Sequence, residues 1–130
     1  MIFGIGTDIA DVRRFEKWVK NPQMFMRFFN QKESAQKKSV QSMCEHYAAR
    51  FAAKEAFSKA LGTGISGFEL KDVYITKEES GQPVLNVEGN AKKVLEEKIL
   101  QKYGEKKSCS LHVSLSHEKE YAVAFVIIEV

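Results

Sequence analysis

The 130-residue sequence lacks several features that place proteins in special classes. It has two cysteines, Cys44 and Cys109, which lie far apart in the chain. Two isolated thiols cannot build a zinc site alone, and in a reducing compartment they are not expected to form a disulfide. We therefore expect both to be small buried or half-buried side chains.

Long apolar runs are also missing. No segment approaches the roughly 18 consecutive apolar residues that a membrane span requires. The amino terminus carries no basic leader, and its apolar run is too short for a signal peptide. These absences predict a cytoplasmic protein without membrane attachment.

No charge of one sign dominates, since the formal net charge is +3. This mildly basic balance is compatible with an acidic protein partner, a phosphate-bearing small molecule or nucleic acid, and does not choose between them. No repeat, low-complexity segment or linker interrupts the chain. With 44% hydrophobic and 28% charged residues, residues 1–130 are expected to form a single globular domain.

Helix and strand patterns are mixed along the chain. Asp8 or Asp11 could cap a first helix that runs to Lys20, and Gly62-Thr63-Gly64 ends the strongest helix. A polar segment at 30–42 is expected to be exposed and partly helical. The patterns predict strands at 2–8, 70–77, 83–87, 109–117 and 121–130, and further helices around 24–29, 43–61 and 90–103.

The last two strands carry the clearest pattern. From Cys109 onward apolar and polar residues alternate, which indicates a strand with one buried face. Residues 121–130 are apolar on both faces, so this strand should be covered on both sides, by helices or by another subunit. The predicted fold class is α+β, with a mainly antiparallel sheet packed against one long helix and several shorter helices.

The long helix also carries residues that could perform chemistry. Glu55 lies three residues before Ser58 and four before Lys59, so these side chains share one face. A carboxylate with an ammonium one turn away suits a Mg²⁺–phosphate site, because Mg²⁺ takes one or two protein carboxylates and fills its shell with phosphate and water. The same spacing is also that of an ordinary exposed ion pair. Asp8 is likewise either a second metal ligand at a strand end or a helix N-cap.

His117 and the glycines after the long helix each allow two interpretations. His117 shares a strand face with Val113 and Leu115, so it is either a core-edge histidine bonded to backbone or a catalytic histidine. Ser116 points to the opposite face, which disfavours Ser–His nucleophilic catalysis. Residues 64–67 match the GxxG of a KH-type RNA-binding loop, although the variable positions carry no charge.

Three blocks of the sequence resemble the holo-acyl-carrier-protein synthases, the short type of 4'-phosphopantetheinyl transferase. They are Gly4-Ile5-Gly6-Thr7-Asp8-Ile9, Arg50-Phe51-Ala52-Ala53-Lys54-Glu55-Ala56-Phe57-Ser58-Lys59-Ala60-Leu61-Gly62-Thr63-Gly64, and His112-Val113-Ser114-Leu115-Ser116-His117 followed by Tyr121-Ala122-Val123-Ala124. They occur in the family's order and at its spacing, and the resemblance covers essentially the whole chain. Two regions depart from the pattern: Phe29-Asn30-Gln31-Lys32-Glu33 lacks the hydroxyl residue often seen before that glutamate, and residues 34–45 match only loosely.

The resemblance implies a phosphopantetheinyl-transferase-like fold and a Mg²⁺-dependent enzyme. The implied reaction moves 4'-phosphopantetheine from coenzyme A to a serine of apo-acyl carrier protein, releases 3',5'-ADP and supports fatty acid biosynthesis. A homotrimer with active sites between subunits is also implied. The implied residues are Asp8 and Glu55 as metal ligands, Glu55 and Lys59 as catalytic groups, Arg50, Lys54, Ser58, Lys59, Gly62 and His117 as coenzyme A contacts, and Arg13 and Arg14 as carrier-protein contacts.

In this scheme the carrier serine attacks the β-phosphate and Lys59 offsets the developing charge. Glu55, directly or through a water, is the candidate base for the serine proton. Two other hypotheses compete with the transferase. One is a small RNA-binding domain that uses the 64–67 loop, and the other is a catalytically silent module that binds the carrier protein without metal. The Asp8 and Glu55 pair in its motif context speaks against both, so nucleic acid is not expected as a partner.

Overall fold

The computed structural model describes residues 1–35 and 39–130. The strands are β1 Ile2–Asp11, β2 Val73–Lys77, β3 Pro83–Val87, β4 Ser110–His117 and β5 Tyr121–Glu129. The helices are α1 Glu16–Val19, α2 Pro22–Phe28, α3 Val40–Leu61 and α4 Gly89–Tyr103. This architecture confirms the predicted α+β class. Within the described ranges, no helix is both long enough and apolar enough to cross a bilayer.

The first strand is longer than the sequence predicted. It continues to Asp11, so Asp8 lies inside β1 and is not a helix N-cap. Asp11 is the capping residue, because its side chain accepts a hydrogen bond from the backbone N–H of Arg13 at 2.9 Å. The predicted helix to Lys20 is therefore a 3₁₀ turn, Val12–Phe15, followed by the single turn of α1.

The centre of the main sheet is β5, which pairs antiparallel with β1 on one side and β4 on the other. On one face of β5 every second residue is fully buried against α3: Ala122, Ala124, Val126 and Ile128. On the opposite face large apolar residues of β1 and β5 are exposed: Ile5, Ile9, Tyr121 and Phe125. The single chain therefore covers only one of the two apolar faces predicted for the last strand.

The remaining two strands do not join that sheet. β2 and β3 form a separate two-stranded antiparallel ladder, so the predicted sheet is divided into two. Residues 70–72, which were expected to be strand, form the 3₁₀ turn Leu70–Asp72. The thiols are placed as predicted, since Cys44 is buried and Cys109 half-buried, and both are free.

The contact between β1 and α3 is close because β1 has glycine where the backbones meet. A Cβ atom added to Gly4 would lie 1.9 Å from the carbonyl oxygen of Ala60, and one added to Gly6 would lie 1.8 Å from that of Ala56. Neither position can hold a side chain unless the strand and the helix separate. The two glycines thus fix the height of β1 along the carboxyl-terminal half of α3.

A buried ion pair joins α3 to the segments on its other side. The side chains of Lys54 and Glu33 are both fully buried and pair at 2.5 Å. Lys54 Nζ also donates to the carbonyl oxygens of Leu70 and Val73. Glu33 Oε2 accepts from the backbone N–H of Ile75 at 3.1 Å. Burial lowers the pKa of the Lys54 ammonium, and the charge of Glu33 opposes that shift.

This ion pair makes Glu33 an exception to the expectation that residues 30–42 are exposed. Glu33 is only 1% exposed, because its carboxylate neutralises a buried ammonium. It belongs to the 3₁₀ turn Gln31–Glu33, which begins with a capping box between Asn30 and Glu33. Ser39 caps α3, which begins three residues earlier than predicted. Residues 36–38 of the predicted segment lie outside the described residues.

We predict that Gly6→Ala destabilises the protein strongly. The added methyl group would collide with the carbonyl oxygen of Ala56, which the hydrogen bonds of α3 hold in place. The expected loss in the free energy of unfolding is at least about 3 kcal/mol, the upper range of overpacking effects. Urea denaturation followed by circular dichroism measures it.

Gly104→Ala is the matched control. Gly104 has a φ of 75° and no atom within 4 Å of an added Cβ. Alanine there meets only the cost of the left-handed conformation, about 1 kcal/mol. Equal losses in the two variants would show that β1 and α3 are not in the close contact described.

Candidate active site

The two predicted metal ligands meet where β1 crosses α3. Asp8 follows Gly6 on the face of β1 that points toward α3, and Glu55 precedes Ala56 on the helix. Partial burial raises the pKa of Glu55, and the negative charge of Asp8 raises it further. The glycine contact thus places two carboxylates within electrostatic range of each other.

Lys59 joins this carboxylate pair from the next turn of α3. Its Nζ donates to Asp8 Oδ1 at 3.1 Å and to the carbonyl oxygen of Thr7 at 3.0 Å. The Lys59 side chain is 55% exposed, whereas that of Asp8 is 18% exposed. An ammonium therefore stands at the open side of the carboxylate pair, where it can also meet a phosphate oxygen.

This group fits a hard divalent cation. Burial raises the pKa of Glu55 and the negative charge of Asp8 adds to the rise, and a bound cation would oppose both by stabilising the ionised carboxylate. Mg²⁺ needs only one or two protein carboxylates, because ligand oxygens and water fill its octahedral shell. Within residues 1–35 and 39–130, no group of three or more His, Cys, Asp or Glu side chains could hold a metal ion. A cation at Asp8 and Glu55 would therefore take its remaining ligands from other donors, such as substrate oxygens, water or backbone carbonyls.

Two residues predicted to contact coenzyme A lie in the core instead. Lys54 has zero side-chain exposure, and its three N–H donors are all taken by protein acceptors. Ser58 is 1% exposed and donates its hydroxyl to the carbonyl oxygen of Lys54 at 3.0 Å. This placement does not support direct ligand contact by either residue, and we infer structural roles for both.

Gly62 marks the end of α3 near the carboxylate pair. It adopts the left-handed conformation with a φ of 81°, and its backbone N–H donates to the carbonyl oxygen of Lys59. The turn is exposed, and no atom lies within 4 Å of a Cβ added at Gly62. The predicted contact of Gly62 with coenzyme A is therefore sterically open.

A second group of predicted residues lines a cleft on another face of α3. The cleft has a volume of about 410 Å³, and its walls come from α3, the β2–β3 hairpin and β4. Its charged and ionisable lining residues are Glu45, His46, Arg50, Lys77 and His117. Positive and potentially positive groups outnumber the one carboxylate, so the cleft suits an anion.

Arg50 is the buried cation of this cleft. It is 7% exposed, and its Nη1 donates to the carbonyl oxygen of His46 at 3.2 Å. Its Nε is buried and has no hydrogen-bond acceptor among the described residues. Burial lowers the pKa of the Arg50 guanidinium, so the charge is incompletely compensated. A phosphate oxygen would satisfy both the spare donor and the charge.

His117 occupies the rim of the same cleft. It lies on the face of β4 shared with Val113 and Leu115, as the alternation predicted. The core-edge interpretation is nevertheless wrong, because the side chain is 50% exposed and its Nδ1 stands 3.4 Å from Glu45 Oε2. The ring sits where β4 ends, beside Glu45 of α3. Glu45 is thus an acidic partner of the ring, and the sequence alone did not reveal it.

The two arginines predicted to dock the carrier protein differ in their surroundings. Arg13 is held by Asp11 through two hydrogen bonds of 3.0 and 2.8 Å. The guanidinium of Arg14 lies over the ring of Phe51, 5.1 Å from its centroid, and its charge lowers the pKa of Glu55. Arg14 is thus the arginine next to the carboxylate pair.

An open groove leads from the carboxylate pair along α3. Glu55 lines it together with the apolar side chains of Met26, Phe51 and Ile65. Met26 is 64% exposed and Ile65 41% exposed. The groove could therefore accept an uncharged chain or an apolar protein surface beside the reacting groups.

Sequence reasoning missed two acidic residues that organise these sites. Glu33 was visible as the fourth residue of a capping-box pattern that begins at Asn30, although the pattern does not indicate burial. Glu45 carried no signal, because its partner His117 lies far away in the sequence. The structure thus forms two groups, Asp8 with Glu55 and Lys59, and Arg50 with Glu45 and His117.

Comparison with known proteins gives this arrangement a family. The model of the 4'-phosphopantetheinyl transferase superfamily matches residues 4–126. A holo-[acyl-carrier-protein] synthase of Treponema denticola is 45% identical over 130 residues, which cover 99% of this chain and 99% of the relative.

Solved structures agree with the sequence relatives. A holo-(acyl-carrier-protein) synthase from Bacillus anthracis, solved in complex with CoA (3',5'-ADP), superimposes with a TM-score of 0.75 and 32% identity, covering 99% of this chain and 97% of that one. The Helicobacter pylori synthase, solved with coenzyme A, gives a TM-score of 0.69 and 30% identity, with 96% and 99% covered.

Proposed function

We propose a function from one premise, namely that the chain belongs to the 4'-phosphopantetheinyl transferase superfamily. It transfers the 4'-phosphopantetheine group of coenzyme A to a serine of apo-acyl carrier protein, as holo-[acyl-carrier-protein] synthases do. We propose that the whole chain, residues 1–130, forms the one transferase domain. We also assign the enzyme to fatty acid biosynthesis, in which acyl carrier proteins hold the growing chain.

The observation that supports the proposed active site is the meeting of Asp8, Glu55 and Lys59. We propose that Asp8 and Glu55 hold Mg²⁺ and that Lys59 binds an oxygen of the coenzyme A diphosphate. When bound, the cation would neutralise diphosphate charge and orient the phosphates for attack. The two carboxylates would face the cation and the ammonium would face the diphosphate. The charges of the three side chains therefore complement those of a cation–diphosphate complex.

The chain's own residues would guide the transfer as follows. The serine oxygen forms a bond to the β-phosphorus, and the bond from that phosphorus to the bridging oxygen of the anhydride breaks. Lys59 stabilises the charge that develops on the phosphate oxygens. Glu55 remains the candidate acceptor of the serine proton. The electron pair of the broken bond leaves with 3',5'-ADP.

We assign the cleft around Arg50 and His117 to the nucleotide end of coenzyme A. The substrate carries two anionic groups, a diphosphate and a 3'-phosphate on its ribose. The diphosphate matches the carboxylate and ammonium group at Asp8. The 3'-phosphate matches the buried, incompletely paired guanidinium of Arg50.

The two sites point in different directions within one chain. Arg50 and Glu55 are five residues apart on α3, which turns them roughly 140° from each other around the helix. We therefore propose that one coenzyme A binds the cleft of one subunit and the carboxylate pair of its neighbour. The exposed apolar face formed by Ile5, Ile9, Tyr121 and Phe125 supports assembly, here as a homotrimer.

We propose that the carrier protein docks beside Glu55 on the surface around Arg14. This guanidinium is held over Phe51, which lines the groove together with Met26 and Ile65. A fixed positive charge next to apolar side chains suits an acidic helix with an apolar stripe. Arg13 would contribute mainly to the long-range field, because Asp11 already neutralises it.

We predict that Asp8→Asn and Glu55→Gln each abolish transfer without unfolding the protein. The assay is the mass of an intact apo-acyl carrier protein after incubation with coenzyme A and Mg²⁺. A raised pKa means that the folded state favours protonated Glu55, so folding stability falls as pH rises from the ordinary glutamate pKa through the raised one. Glu55→Gln removes this effect, so its melting temperature at neutral pH should not fall.

Glu97→Gln provides the matched control, because Glu97 is exposed on α4, away from the site. It should transfer at the parental rate. Parental activity in both site variants would remove the metal-ligand assignment. Failure of the parental enzyme to modify any of several carriers, with and without added Mg²⁺, would overturn the function itself.

We predict that two defective variants complement each other if subunits share the site. Asp8→Asn damages the diphosphate half, and Arg50→Gln the nucleotide half. After co-refolding of an equal mixture, about a quarter of the subunit contacts should combine two intact halves. Activity well above that of either variant is expected at coenzyme A concentrations that do not saturate Arg50→Gln. No recovery in mixed oligomers confirmed by mass would place the whole site within one chain.

We predict that Arg14→Glu raises the KM for the carrier protein more than the KM for coenzyme A. Reversing the charge replaces attraction for an acidic helix by repulsion, typically at least a tenfold effect for a rim charge of this kind. Steady-state kinetics with each substrate varied in turn separates the two constants. Lys107→Glu on the α4–β4 connection is the charge-matched control, and an equal rise in both variants would contradict specific docking at Arg14.

A further inference from the structure

Glu45 is an acidic residue in a cleft whose other ionisable residues are basic. It lines the cleft assigned above to a phosphate, where the other ionisable lining groups are His46, Arg50, Lys77 and His117. Its side chain is 20% exposed, so its negative charge is only partly screened by water. A carboxylate in this position repels a phosphate unless something stands between them.

The structure places His117 in contact with that carboxylate. Nδ1 of His117 lies 3.4 Å from Glu45 Oε2, the distance of an ion pair when the ring is protonated. The two residues come from different elements, α3 and β4, so the contact also ties the rim of the cleft to its wall. The ring lies with Nδ1 on the side of Glu45, within ion-pair distance, so Nε2 is the ring nitrogen left for a ligand.

Stability does not explain the pair. His117 is 50% exposed, and an ion pair with one well-solvated partner contributes little to folding. A phosphate at the other ring nitrogen would, however, complete a carboxylate–imidazole–phosphate chain in which both N–H groups of the ring donate. A histidine oriented in this way binds a phosphate oxygen better than a ring that is free to rotate or neutral.

We propose that Glu45 is a positioning residue that orients His117 toward the 3'-phosphate of coenzyme A. This inference rests on the proposed function and names a residue that acts through another. Glu45 holds Nδ1, His117 presents Nε2–H, and the spare Nε donor of Arg50 approaches the phosphate from the buried side. The repulsion between Glu45 and the phosphate is offset because the imidazolium carries the charge between them.

The experiment compares Glu45→Gln with the parental enzyme on two donors, coenzyme A and 3'-dephospho-coenzyme A. Simple charge counting predicts a lower KM for coenzyme A in Glu45→Gln, because a negative charge leaves an anion site. Positioning predicts the opposite, a rise of roughly tenfold, the scale of one charge-assisted hydrogen bond. It also predicts an unchanged kcat and an unchanged KM for the dephospho donor.

His117→Ala completes a double-mutant cycle. If Glu45 acts through His117, then adding Glu45→Gln to His117→Ala should raise the KM for coenzyme A no further. Additive effects would show that Glu45 acts independently. A KM that is unchanged or lower in Glu45→Gln would overturn the proposal, whereas loss of transfer in the parental enzyme would overturn the proposed function instead.

A second measurement does not depend on ligand binding. It tests the proposal even if the substitutions change folding and thereby the kinetic constants. The ¹⁵N shifts of the His117 ring in the full-length protein report which nitrogens carry protons. Glu45→Gln should change the Nδ1 signal of His117, while Glu97→Gln should not. Identical ring signals in all three proteins would contradict the contact between Glu45 and His117.

Discussion

The approach of β1 to α3 through Gly4 and Gly6 is the constraint on which the active site depends. Backbone oxygens of the helix occupy the space where side chains of the strand would stand. Because the contact is between backbones, it fixes the strand and the helix relative to each other without the freedom that side-chain packing allows. Asp8 lies two residues after Gly6 on the strand, and Glu55 lies next to Ala56 on the helix. The glycine contacts therefore fix the positions of the two carboxylates.

Two adjacent charged residues of the long helix have different roles. One is structural, and the other belongs to the proposed active site. Lys54 points into the core and is satisfied by Glu33 and two carbonyl oxygens, while Glu55 points toward Asp8. A buried ion pair of this kind adds little net stability, but it is costly to break, so it fixes how the helix is rotated. That rotation in turn keeps Glu55 on the side of β1 and Arg50 on the side of the cleft.

Sequence patterns predicted the fold class and most elements, because alternation and helix periodicity follow from burial of one face. β3 and the long helix illustrate this, since apolar spacing and a terminal glycine were enough to find them. The family came instead from the resemblance of three motif blocks. The patterns failed where contacts between segments far apart in the sequence determine the environment of a side chain. Lys54 and Glu55 are both charged residues of one helix, and the sequence does not show that one is buried and the other is not. Their different environments arise from Glu33 and Asp8. Glu45 was likewise invisible, because nothing local to it indicates a histidine on another strand.

The distribution of charge also fits the proposed sharing of the site between subunits. In that proposal, coenzyme A needs a cation-assisted site for its diphosphate and a basic site for its second phosphate. Carboxylates and a buried guanidinium placed side by side in a small chain would neutralise each other. α3 avoids this by presenting Arg50 and Glu55 on different faces, each with its own partners. A neighbouring subunit packed on the exposed sheet face could then supply the complementary half, so assembly would create the site that one chain keeps apart.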